Sequence, residues 1–267
     1  MAKIEKCITE DFEMSYFVFG KGSEVLVIIP GLSVKSVMGS ADAIIEEYRL
    51  MAEYFTVYVF DRRDKIPSQY SIHEMAEDTV KVLKKLKLTS VNLFGASQGG
   101  MISMDMAVNH PEIVKKLVLG STSARVQPEQ LQMIEEWIGY AKKGDRLNLF
   151  LSFGKALYKK EVFEQYRDYF AETSKTVTDD ELVKFITSAE TIKNFDLTDR
   201  LKDIKCPVLV IGDFNDAVLD SDATMEIAEN LDYRPDFKLF MYAGYGHAVY
   251  DTAPDYIQRV RSFLLEK

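Results

Sequence analysis

Three features of the sequence predict an α/β protein: a mostly parallel sheet with helices on both faces, plus an inserted helical segment. Short β-branched runs alternate with helical stretches through both ends of the chain. The run 25–29 is apolar at every position, the pattern of a strand covered on both faces of a parallel sheet. From 126 to 200 the strand pattern stops and only helical periodicity remains.

In chain order, 14–19 and 24–29 read as strands joined by the turn Gly20-Lys21-Gly22-Ser23. A helical stretch at 40–54 leads to a strand at 55–60. Ser71-Ile72-His73-Glu74 has capping-box spacing, and the helix it opens runs to about 87 with Met75, Val82, Leu83 and Leu86 facing inward. A strand at 91–94, a helix at 98–109 and a strand at 117–119 follow. In the insertion, Pro128 suits a first helical position, Leu131, Ile134, Trp137 and Ile138 form an apolar stripe, and Gly144 closes the helix. Thr178 and Glu181 form a second capping box. The segment is rich in aromatics (Phe150, Phe153, Tyr158, Phe163, Tyr166, Tyr169 and Phe170), which at helical spacing mostly build core. The sheet resumes at 208–211, followed by a helix at 223–230, a strand at 237–241 and a helix at 255–265. This gives a core of 1–125 with 201–267 and a helical insertion of 126–200.

The 267 residues carry 42 acidic and 33 basic side chains, a formal charge of −9. An acidic chain without a basic stripe does not fit nucleic-acid binding, which needs clustered Lys and Arg. No stretch approaches the ~20 apolar residues of a membrane span. The first twenty residues, broken by Lys3, Glu5, Lys6, Glu10, Asp11 and Glu13, lack a signal-peptide core. Two cysteines give no disulfide framework, and Cys206 before Pro207 reads as a buried, inert thiol. The expected compartment is the cytoplasm and the expected partner a small-molecule substrate, with no nucleic acid and no membrane; the oligomeric state stays open.

Gly95-Ala96-Ser97-Gln98-Gly99 sits between the strand ending at 94 and the helix starting at 98. Small neighbours let a serine occupy a tight strand-to-helix turn, presenting its hydroxyl at a helix N-terminus that favours developing negative charge. The pattern alone arises by chance in about one chain in ten of this length; the strand before it and the helix after it give it meaning. A serine needs a base. His73 reads as a solvated residue of a capping box, and His110, before Pro111, is explained by a helix C-terminus. His247, in Ala243-Gly244-Tyr245-Gly246-His247 beyond the last strand, is the candidate base, because active sites of open α/β sheets gather at such strand ends. A carboxylate must orient that imidazole. After the strand 208–211 come Asp213, Asp216, Asp220 and Asp222; Asp216 is the choice and Asp213 the alternative.

Taken together, these motifs resemble the α/β-hydrolase superfamily, in its serine-nucleophile branch. The resemblance is carried by Val27-Ile28-Ile29-Pro30-Gly31-Leu32, Val57-Tyr58-Val59-Phe60-Asp61-Arg62-Arg63, Gly95-Ala96-Ser97-Gln98-Gly99-Gly100-Met101, Asn109-His110-Pro111-Glu112 and Gly246-His247-Ala248. It implies that 126–200 caps the active site and that the backbone N–H groups of Leu32 and Gln98 form an oxyanion hole. The chain departs from the family's pattern in three places. Pro30-Gly31 replaces a common His-Gly, the run 61–68 lacks the usual glycines, and Asn215 stands where the acid commonly falls.

The expected chemistry is attack by Ser97, with His247 and Asp216, on a small and fairly apolar carboxylic ester or lactone. An acyl-enzyme forms and water hydrolyses it, without metal or organic cofactor. The same triad also serves carbon–carbon, thioester or amide hydrolysis, and a capped pocket with little turnover would serve a ligand receptor.

Overall fold

The computed structural model describes residues 2–266. Its eight strands are β1 (Ile4–Ile8), β2 (Glu13–Phe19), β3 (Glu24–Ile29), β4 (Phe55–Arg63), β5 (Val91–Ala96), β6 (Val114–Gly120), β7 (Val208–Asp213) and β8 (Phe237–Tyr242). They form one sheet in the order β1-β2-β4-β3-β5-β6-β7-β8. The pairs from β4 to β8 are parallel, while β1–β2 and β2–β4 are antiparallel. The fold is therefore the expected mostly parallel α/β sheet.

Side-chain alternation divides the core into two layers. Leu26, Ile28, Phe94, Val118, Leu209 and Ile211 face one way, against α1 (Ala41–Glu47) and α10 (Tyr256–Leu265). Val27, Ile29, Leu93, Leu117, Leu119, Val208 and Val210 face the other, against α2 (Ile72–Lys85), α3 (Gln98–Asn109) and α8 (Asp220–Leu231). Each fully buried aliphatic side chain contributes about 1.5–3 kcal/mol. Every residue of α3 except Asn109 is buried, so the helix that follows Ser97 is the most enclosed in the molecule's centre.

Between β6 and β7 the chain forms α4 (Pro128–Lys142), α5 (Arg146–Leu157), α6 (Lys160–Ser174) and α7 (Asp179–Glu190). Pro128 opens α4, and Thr178 with Glu181 forms the expected reciprocal box at α7. At α2 the Ser71 hydroxyl accepts from the Glu74 N–H, but the Glu74 carboxylate meets that hydroxyl and does not reach back to the backbone. A short helix α9 (Val249–Thr252) precedes α10.

One local expectation is corrected, and two features of the sheet lie outside what the sequence pattern shows. The strands at 14–19 and 24–29 are not neighbours, because β4 lies between them. The turn joining them wraps around the start of β4: the Lys21 N–H donates to the Ala52 carbonyl at 3.0 Å, and the Thr56 hydroxyl donates to the Gly22 carbonyl at 2.8 Å. A side chain on Gly22 would overlap the Tyr54 backbone. The helix expected over 40–54 is only α1, after which the chain tightens so that Tyr48 and Met51 both turn into the core. β1 was not expected at all; it is an edge strand on which only Cys7 is buried, and its charges hide the strand pattern.

Candidate active site

The C-terminal ends of β3, β5, β7 and β8 bring the candidate residues together, at the edge where open α/β sheets bind ligands. Ser97 stands between β5 and α3 with φ +52° and ψ −125°, a backbone conformation that costs an L-residue on the order of 1–3 kcal/mol. Its surroundings hold it there. The Ser97 N–H donates to the Gly120 carbonyl at 2.8 Å, and the Thr122 hydroxyl donates to the Ser97 carbonyl at 2.7 Å. The flanking glycines are sterically required: a Cβ on Gly95 would lie 2.3 Å from the Gly99 carbonyl oxygen, and one on Gly99 would lie 1.9 Å from that of Ile29.

His247 lies on the β8–α9 loop and is 2% exposed. Gly244 and Gly246 both have positive φ, which gives the loop its shape. The Ala248 N–H donates to the Leu157 carbonyl at 2.9 Å and so ties this loop to the end of α5. The imidazole Nε2 is 2.9 Å from the Ser97 Oγ, and Nδ1 is 2.8 Å from the Asp216 Oδ2. An Nδ1–H donated to the carboxylate would leave the Nε2 lone pair facing the hydroxyl.

Asp216 is buried and reaches the line from the β7–α8 loop, where its Oδ1 also accepts the Val218 and Leu219 N–H groups at 2.8 and 3.0 Å. Burial alone would raise its pKa. The facing His247 and the two amides outweigh burial and hold the carboxyl below its ordinary value. Asp213, the alternative acid, is fully buried but points elsewhere: it accepts the Asn215 N–H at 2.7 Å and the Tyr245 N–H at 2.9 Å. Asn215 accepts the Gly244 N–H at 2.8 Å. Asp213 and Asn215 thus pin the His247 loop, and Asp216 meets the imidazole.

The other two histidines are occupied elsewhere. His73 Nδ1 contacts Asp105 at 2.9 Å and His110 Nε2 contacts Glu77 at 2.6 Å. Burial pushes the Cys206 thiol up to about 12, so it stays protonated.

Above Ser97 lies an apolar space of about 410 Å³, counting its opening to solvent. Met101, Ile134, Trp137, Phe153, Leu157 and Ile192 supply much of its wall, and Leu32 and His247 also face it. Trp137 and Phe153 meet edge to face, with centroids 4.7 Å apart. Of the insertion's aromatics, Phe163 is core, whereas Tyr166 and Tyr169 are exposed. Gln98 is the first residue of α3, so its N–H is one of the groups a helix leaves without an intrahelical acceptor.

A serine on a strained strand-to-helix turn, bonded to an imidazole at the C-terminal edge of a mostly parallel sheet, defines an α/β protein organised around that turn. Residues 24–254 match the family model described as alpha/beta hydrolase fold, and the chain belongs to that family. Among sequence relatives, a protein of Agrobacterium fabrum is 22% identical over 246 residues, covering 88% of this chain and 93% of its own. One of Serratia proteamaculans is 24% identical over 266 residues, covering 92% and 94%. Both are provisionally named carbamate hydrolase RutD. Among solved structures, MGS-M2, an alpha/beta hydrolase enzyme from a Medee basin deep-sea metagenome library, superposes with a TM-score of 0.87 at 20% identity over 98% of both chains. The enol-lactonase from Burkholderia xenovorans LB400 superposes with a TM-score of 0.80 at 19% identity, covering 98% of this chain and all of its own.

Proposed function

We propose that the chain is a serine hydrolase that cleaves a small, fairly apolar carboxylic ester or lactone through an acyl-enzyme. The family and the names of the relatives support hydrolysis. The observation that carries the finer reading is the unbroken line from Ser97 Oγ through His247 to Asp216 beside an apolar space. His247 takes the Ser97 proton as the hydroxyl oxygen bonds to the substrate carbonyl carbon, and Asp216 stabilises the resulting imidazolium. The Leu32 and Gln98 N–H groups hold the oxyanion, each worth roughly 3–4 kcal/mol to the tetrahedral intermediate. The imidazolium then protonates the leaving alkoxide, and water, deprotonated by His247, releases the acid. Residues 1–125 and 201–267 form the catalytic core and 126–200 the cap; apolar side chains from α4 and α5 facing Ser97 support that division. Two buried free thiols suit a reducing compartment, which supports a cytoplasmic location.

The relatives' names favour a second reading, in which the acyl group is a carbamoyl group cleaved by the same attack. Stopped-flow assay of short-chain p-nitrophenyl esters, a δ-lactone and a p-nitrophenyl carbamate tests both. A burst of one p-nitrophenolate per active site followed by ester turnover is expected. Turnover of the carbamate alone moves the assignment to the second reading, and turnover of none of them overturns both.

A further inference from the structure

Arg62 is the penultimate residue of β4, beside the turn that leaves β3, and its guanidinium touches both segments that carry the proposed oxyanion donors. Nη2 donates to the Pro30 carbonyl at 2.8 Å and to the Gln98 Oε1 at 3.1 Å. Pro30 stands two residues before Leu32. The intervening Gly31 lies against the nucleophile, since a Cβ there would sit 3.1 Å from the Ser97 Cβ. Asp61 holds the far side of the same loop: its Oδ2 accepts the Ser36 hydroxyl at 2.5 Å while its Oδ1 accepts the Arg62 N–H at 2.7 Å. The Leu32 N–H is therefore carried on a loop fastened at Pro30 by Arg62 and at Ser36 by Asp61.

The second donor is fixed through a side chain. Gln98 is 1% exposed, and its Nε2 donates to the Ser188 carbonyl at 2.7 Å and to the Thr191 hydroxyl at 3.2 Å, on and just beyond α7. Its amide has a single workable orientation, because a flip would set an NH₂ against the guanidinium and a carbonyl oxygen against the Ser188 carbonyl. Arg62 is an expensive way to make these bonds. Both acceptors are neutral, its Nε is buried without a partner, and burial pushes the guanidinium below its ordinary pKa against the opposing charge of Asp61. A half-buried cation spent on two neutral acceptors is poorly explained by stability and well explained by placement.

We infer that Arg62 is a positioning residue of the oxyanion hole, one guanidinium setting the loop of the Leu32 N–H and the residue of the Gln98 N–H together. This rests on the proposed function, and it goes beyond it by naming a residue that touches no reacting atom. Displacements of about 1 Å at a reacting centre cost on the order of 100-fold in rate, so a loosened hole is read in kcat and not in ground-state binding.

The test compares Arg62→Met and Arg62→Lys with the parent chain on a p-nitrophenyl ester. Inhibition is measured with a trifluoromethyl ketone, which adds to Ser97 as an oxyanion, and with the product acid as a ground-state competitor. Arg62→Met is expected to lower kcat by about 10- to 100-fold, with KM and product affinity within about twofold. The ketone should weaken by the same factor as kcat, and Arg62→Lys should recover part of the loss. A folded Arg62→Met variant with kcat and ketone affinity within twofold of the parent overturns the inference. So does a variant in which product affinity falls as far as ketone affinity. Should Arg62→Met fail to fold, Arg62→Lys and Gln98→Leu carry the same kcat-against-KM reading. Ester turnover surviving in Ser97→Ala would instead overturn the proposed function itself, which keeps the two failures separate.

Discussion

Two buried carboxylates three residues apart, Asp213 at the end of β7 and Asp216 on the β7–α8 loop, accept from different partners, and their variants should behave differently. Asp216 accepts from His247 and from the Val218 and Leu219 amides, whereas Asp213 accepts only backbone N–H groups of its own loop and the next. Asp216→Asn is expected to lower kcat by about 10⁴-fold, because an amide cannot hold the required imidazole tautomer. Asp213→Ala is expected to destabilise by about 1–3 kcal/mol for each amide left unpaired, seen as a lower urea midpoint. Equal kinetic and stability effects of the two variants would contradict this division. From the sequence, Asp216 and Asp213 could only be ranked, because both follow the same strand and a one-residue shift in a loop decides which carboxylate meets the ring. Ser97 and His247 stood out more sharply, one on a small-residue turn and the other as the histidine remaining after two had ordinary explanations. Arg62 lies in a run that carries the family resemblance, but its positioning role left no sign in sequence, since its contacts run to Pro30 and Gln98, 32 and 36 residues away.

At the scale of elements, the turn at Ser97 depends on how closely α3 approaches β3. Gly99→Ala would put a methyl group 1.9 Å from the Ile29 carbonyl oxygen, which is backbone and cannot swing aside. We expect a loss of at least about 1–3 kcal/mol with activity falling alongside, measured by thermal melting and ester turnover; parent-like values in both would contradict the packing described. The wall that α4 and α5 present to Ser97 makes a separate prediction. Phe153→Ala removes a ring lining the pocket and should shift the kcat/KM ratio toward longer acyl chains; an unchanged ratio across C2 to C8 esters would contradict the role given to these helices. The parallel strands and α2, α3 and α10 were legible because apolar runs and helical periodicity survive burial on both faces. The edge β1 and the partner of β2 were not. β1 carries two adjacent charges, Glu5 and Lys6, that interrupt its apolar residues, and the pairing of β2 with β4 goes with a turn that packs on residues 52–56, contacts no local pattern encodes. The helices of 126–200 could be read individually, but which of their side chains face Ser97 depends on how they dock.

For the whole molecule, the same sheet edge that assembles the site makes folding stability depend on pH. Asp216 has a folded-state pKa below its ordinary 3.8, so the native state holds its proton more weakly than the unfolded chain does. Its contribution is complete above about pH 4 and is lost as pH falls through the depressed value. Asp216→Asn should therefore lose less stability than the parent between pH 6 and pH 3 in urea titrations; equal losses would contradict the carboxylate's place in the folded network. In the proposed function, Ser97 is the nucleophile of an acyl-transfer line formed by three distant segments. Mass spectrometry after fluorophosphonate treatment tests it most directly. One adduct per chain is expected, on the peptide containing Ser97, with labelling and ester hydrolysis both lost in Ser97→Ala. Stoichiometric labelling on another residue, or hydrolysis persisting at the parent rate in Ser97→Ala, would contradict it.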